Sequence, residues 1–134
     1  MALAGNPYKQ YQEQSVKSAS PDKLIIMLFD GAIRFCGKAH KSIGEKNFEE
    51  AGKAIYRCED IMNYLINTLN TSIPIAEELE KMYEYILYNF TQANLTKEIS
   101  YLDEADKYLR EFRETWKQVG EIVRESRLQE KKAQ

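Results

Sequence analysis

Among the 134 residues there is one histidine, His40, and there are two cysteines, Cys36 and Cys58. These are the side chains best suited to nucleophilic or metal chemistry, and their spacing argues against both. A tetrahedral zinc site takes four ligands, which two cysteines and one histidine do not supply. A di-metal carboxylate centre inside a helical bundle needs Glu-x-x-His pairs from two helices, and here Gly37 stands three residues before His40. The chain carries no glycine-rich phosphate loop, no nucleophile elbow and no H-E-x-x-H motif. Cys36 and Cys58 therefore read as small apolar core residues, and the expectation is a non-enzyme without cofactor or metal. The one enzyme-like alternative is a histidine phosphotransfer bundle using His40. Against it, Ile43 occupies the place where such domains usually carry a lysine, and Gly44 looks like a helix end.

The remaining composition describes a scaffold for contacts. With 43% hydrophobic and 30% charged residues, the chain is expected to form one soluble domain. A domain of this length buries roughly two-thirds of its unfolded surface and needs no disulfide or metal. Nineteen basic against 21 acidic residues give a net charge of -2, without the basic excess that phosphate-backbone binding needs, so nucleic acid is excluded as a partner. No export leader and no apolar run approaching about 18 residues is legible, which leads to the expectation of a cytoplasmic, reduced protein without membrane insertion.

Prolines 7, 21 and 74 punctuate the chain. Ser20-Pro21-Asp22 is a helix start, with a capping hydroxyl, a preset φ and an acid at the positive dipole end. The spacing predicts a first helix to about Ile43, with Gly44 as a left-handed cap. Asn47 with Glu50 reads as a capping box opening a second helix to about Leu69. After a turn at 70–74, a third helix covers about Ile75 to Asn94 and a fourth about Glu98 to Arg127. At about 100° per residue, one stripe gathers Leu24, Leu28, Ala32, Phe35, Ala39 and Ile43, joined by Ile25, Phe29 and Cys36. Phe48, Ala51, Ala54, Ile55, Cys58, Ile61, Met62, Leu65 and Leu69 form the second stripe. Ile75, Leu79, Met82, Tyr83, Ile86, Phe90 and Ala93 form the third; Leu102, Ala105, Leu109, Phe112, Trp116, Val119 and Val123 form the fourth. Four stripes with short connections predict an all-α, antiparallel four-helix bundle over residues 20–127. Residues 1–19 read as an N-terminal arm or short helix, and 128–134 as a polar, fraying tail.

Some apolar residues are left over. Ile26 and Ile33 fall at or beyond the edge of the core arc, beside Phe29, and Tyr64, Tyr85 and Tyr88 lie off their stripes. Tyrosine outside a core suits partner contact because it gives area yet tolerates water. The Ile26, Phe29, Ile33 ridge points to an oligomer interface or to a groove for an amphipathic partner. A structural, weakly dimerising bundle is the second alternative.

Two segments are specific. Asn6-Pro7-Tyr8-Lys9-Gln10-Tyr11 and the run from Ala19 to Phe35, opening Ala19-Ser20-Pro21-Asp22-Lys23-Leu24-Ile25, closely resemble the opening of the flagellar secretion chaperone family, FliS. Ile61-Met62-Asn63-Tyr64-Leu65, Leu69-Asn70, Tyr83-Glu84-Tyr85, Ala93-Asn94 and Trp116 are similar to that family's later landmarks, and the likeness spans about residues 6 to 120. The resemblance implies a cytoplasmic bundle that binds the disordered C-terminal segment of flagellin. It further implies that the bundle prevents premature polymerisation and helps hand flagellin to the flagellar type III export apparatus. Asn6, Tyr8 and Tyr11 carry over as the family's N-terminal arm, and Ile26, Phe29 and Ile33 belong to its first-helix signature. Phe29 stands where the family often has tyrosine. The surplus apolar ridge, and not the family, is what assigns the groove to the first helix.

Overall fold

The computed structural model describes residues 21–133. They form four helices: α1 (Pro21–Gly44), α2 (Phe48–Asn67), α3 (Ala76–Thr96) and α4 (Ile99–Ala133). Local chemistry explains the boundaries. The left-handed residue after α1 is Lys46, with φ 60°, so the expected Gly44 cap is shifted by two residues. The last turn is closed by Lys46 N donating to Ile43 O and Asn47 N to Ser42 O. Asn47 then caps α2 by accepting from the Glu50 amide at 3.3 Å. The return half of the capping box is not made, because Glu50 pairs with Lys53 instead. At the end of α3, Lys97 adopts φ 58°. Its ammonium donates to the Asn94 carbonyl and side-chain oxygen, both at 2.7 Å, placing a cation where the helix dipole is negative.

α4 departs most from expectation. It runs 35 residues, about 52 Å at 1.5 Å per residue, and takes in the segment expected to be a frayed tail. After Gly120 the sequence has neither glycine nor proline and is rich in Glu, Arg, Lys and Gln, all strong helix formers. From residue 121 onward the helix is exposed on every side.

Each helix packs against its chain neighbours, and α4 closes the ring against α1. Cross-contacts fix the antiparallel senses: Asp30 pairs with Arg113 while Cys36 meets Leu102, and Thr91 bonds Glu59. The expected antiparallel bundle is what forms. Its middle is lined by Ala32, Cys36, Ala39, Ala51, Ala54, Ile55, Cys58, Ile61, Ile86, Phe90, Leu102, Ala105 and Leu109, all buried. Many of these are small, which lets the helices approach closely.

Toward the end where α1 begins, larger rings take over. Phe29 stacks on Phe112 at 6.2 Å between centroids, and Tyr83 meets both edge-on at 6.0 and 5.4 Å. Phe29 is 0% exposed. It therefore belongs to the core, and the expected Ile26, Phe29, Ile33 surface ridge does not form. Phe29 lies between the edges of its arc, where both α3 and α4 reach it. The stripes in turn overrun the core. Ile75 is 53% exposed and Val119 and Val123 41% each, while Leu79, Met82, Phe112 and Trp116 are only partly covered. Part of the surplus apolar surface thus gathers at the Trp116 end of the bundle, while Phe48, expected on the α2 core stripe, is 46% exposed at the other end because it opens its helix.

Candidate binding site at the Trp116 end

α4 carries Trp116 just beyond the last fully buried core layer, and α3 carries Tyr83 opposite it. The indole N–H donates to the Tyr83 hydroxyl at 3.0 Å. That bond satisfies a polar group whose ring faces apolar surroundings. Burial pushes the Tyr83 phenol up from its ordinary pKa, so it stays neutral and keeps its place as acceptor.

Two open cavities flank the indole. The smaller, about 170 Å³, is lined by Ile25, Leu65, Thr68, Leu69, Asn70, Ile73, Tyr83 and Trp116. The larger, about 290 Å³, lies between Ile73, Ile75, Leu79, Phe112, Thr115, Trp116 and Val119. The second is almost wholly hydrocarbon in character, with the Thr115 hydroxyl turned back to its own helix at the Glu111 carbonyl. Such walls take aliphatic or aromatic side chains from a partner and offer no anchor for a charged one. Four elements contribute: the start of α1, the end of α2, the 68–75 connection with the first turns of α3, and α4.

The residues singled out in the sequence distribute unevenly around this site. Asn6, Tyr8 and Tyr11 lie outside the described residues. Ile26 is partly covered near the start of α1; Ile33 and Tyr64 are partly buried against the core, and Phe29 supports the site from beneath. Tyr85 is bonded through its hydroxyl to Glu104 and sets its ring edge-on to Tyr108 at 5.7 Å. That carboxylate raises the Tyr85 pKa. Tyr88, three residues farther along α3, is 52% exposed. Sequence reasoning assigned Leu79, Phe112, Trp116 and Val119 to the core and passed over Ile73. Two signals were available: an Ile73-Pro74-Ile75 triplet in a connection, and a stripe on α4 that continues past the length of its neighbours.

The reactive residues do not build a second site. Both thiols are buried and donate to carbonyls at 3.5 Å, Cys36 to Leu102 and Cys58 to Ala32. Burial pushes Cys36 up to about 12 and raises Cys58 well above its usual value, so neither supplies a thiolate. His40 Nε2 stands 3.5 Å from Asp103 on α4, both largely exposed. Among the described residues no group of three or more His, Cys, Asp or Glu side chains is placed to hold a metal ion, and no helix is long and apolar enough to cross a membrane.

Comparison with known proteins agrees with this arrangement. The family model described as flagellar protein FliS matches residues 4–123. The flagellar secretion chaperone FliS of Bacillus subtilis is 32% identical over 122 residues, covering 91% of this chain and 92% of that one. FliS of Salmonella typhimurium is 31% identical over 114 residues, covering 81% and 82%. Flagellar secretion chaperone FliSB of Pseudomonas aeruginosa is 28% identical over 114 residues, covering 81% and 90%. A match over nearly the whole bundle, joined to an open apolar end and unreactive thiols, makes this chain a member of the FliS family of flagellar secretion chaperones.

Proposed function

We propose that the chain is a cytoplasmic chaperone for flagellin, binding its disordered C-terminal segment, preventing premature polymerisation and assisting delivery to the flagellar type III export apparatus. The observation that carries this reading is the pair of apolar cavities around Trp116 in a chain of the secretion chaperone family. A disordered client segment that folds on binding needs a surface that takes the apolar face of the helix it forms. The open end of the bundle has that character, and nothing in the role requires a nucleotide, a metal or a catalytic side chain. Asn6, Tyr8 and Tyr11 are assigned to the client surface together with Ile26, Tyr85 and Tyr88 of the bundle. Ile33 and Tyr64 support it from partly buried positions.

The test is seeded polymerisation of monomeric flagellin with and without an equimolar amount of the chain. Elongation slows in its presence, and His40→Ala slows it equally, because the phosphotransfer reading would place the activity on that ring. Polymerisation at the unassisted rate contradicts the proposal.

A further inference from the structure

The two cavities share two lining residues, Ile73 and Trp116. One is anchored and the other is not. Trp116 is tied to the buried Tyr83, whereas Ile73 is carried on the short connection between α2 and α3. Among the described residues, the hydrogen bonds of that connection stay local. Asn70 accepts from the Ser72 amide and hydroxyl at 3.0 and 2.6 Å. Ile73 N donates to Asn70 O, and Ala76 N donates to Ile73 O. The strap can therefore swing on its helix ends without breaking a hydrogen bond to α1 or α4. Leu69 packs against the core at the start of the strap, while Ile73, 36% exposed, lines both cavities together with Trp116.

The geometry points to Ile73 as a gate that divides one binding groove into two compartments, displaced when a client helix lays its own aliphatic side chain at Trp116. The inference rests on the reading that the client is flagellin's C-terminal segment. The chain itself places an aliphatic side chain there, Ile73 of the α2–α3 connection. Apolar side chains three or four residues apart on a helix stand about 5–6 Å from each other, so a client helix that fills both compartments meets Ile73, which lines each of them. In the resting chain the gate occupies part of the site, and the measured affinity is lowered by the fraction of molecules in which it is closed.

Trp116, the one tryptophan in the chain, reports on the gate directly. The probe is a synthetic peptide of the flagellin C-terminal segment, added to the full chain and to Ile73→Ala and Ile73→Phe. Without peptide, acrylamide quenching of Trp116 rises about twofold in Ile73→Ala as the seat empties. With peptide, the parent's tryptophan emission shifts to the blue and quenching falls. Ile73→Ala binds about fivefold tighter and Ile73→Phe weaker by a similar factor, since the competing side chain has been removed or enlarged. Weaker binding by Ile73→Ala, or unchanged quenching in that variant, overturns the gate. Peptide binding that leaves Trp116 emission unchanged overturns the gate but leaves the chaperone reading standing. An absence of binding to the parent overturns both.

Discussion

Trp116 donates its indole N–H to the hydroxyl of Tyr83 at 3.0 Å, so the last aromatic of α4 is held in register by a buried phenol of α3. The bond joins α3 to α4 where their packing opens into the two cavities. It makes the floor of the groove rigid while its rim, the strap at 70–75, has only local hydrogen bonds.

The ring cluster below that bond predicts a graded response to mutation. Phe29→Ala removes a ring with 0% exposure and should cost about 3–5 kcal/mol in urea unfolding. Tyr83→Phe keeps the packing but leaves the indole N–H without its acceptor, costing about 1 kcal/mol. Equal losses for the two variants would contradict the separation of core from groove floor.

The helices and their order were legible because each stripe repeats over three or more turns and the first breaks carry a capping residue or a proline. What was not legible is where the stripes stop being core. Periodicity places Phe29, Phe112 and Trp116 on inward faces alike, but burial depends on how far the neighbouring helices extend. α3 begins at Ala76, whereas α4 runs on to Ala133, so its stripe outlasts that neighbour. A connection has no period to read, which hides Ile73, and polarity alone does not separate a fraying tail from a segment of strong helix formers that extends α4 to Ala133.

The cysteines should behave as core atoms. Burial, reinforced by nearby negative groups, pushes the Cys36 thiol up to about 12, and Cys58 lies well above its ordinary value. Iodoacetamide at pH 8 should leave both unmodified in the native chain and label both rapidly in urea. Stoichiometric native labelling at either position would contradict the packing described.

Glu59 should give stability a pH dependence. Its carboxylate sits at the α2–α3 contact, one oxygen accepting from Thr91 at 3.1 Å and the other without a partner among the described residues. Burial raises its pKa above the ordinary glutamate value of 4.5. A folded pKa above the unfolded one means stabilisation that is full below about 4.5 and is lost as pH rises through the folded value. Glu59→Gln, whose carbonyl can still accept from Thr91, should therefore melt above the parent at pH 7, with the gap closing as pH falls toward 4.5. A gap independent of pH would rule out ionisation of Glu59 as its source.

The proposed seat of flagellin's C-terminal segment, the groove beside Trp116, is tested most directly by one calorimetric titration. The peptide is titrated into the parent and into Val119→Glu. Val119 lines the larger cavity yet is 41% exposed, so the bundle tolerates the change while an incoming apolar side chain meets a carboxylate that must be desolvated. Binding by the parent with affinity reduced about tenfold or more in Val119→Glu is the predicted result. Parental affinity in that variant, with its fold intact by circular dichroism, would contradict the placement of the client at this end of the bundle.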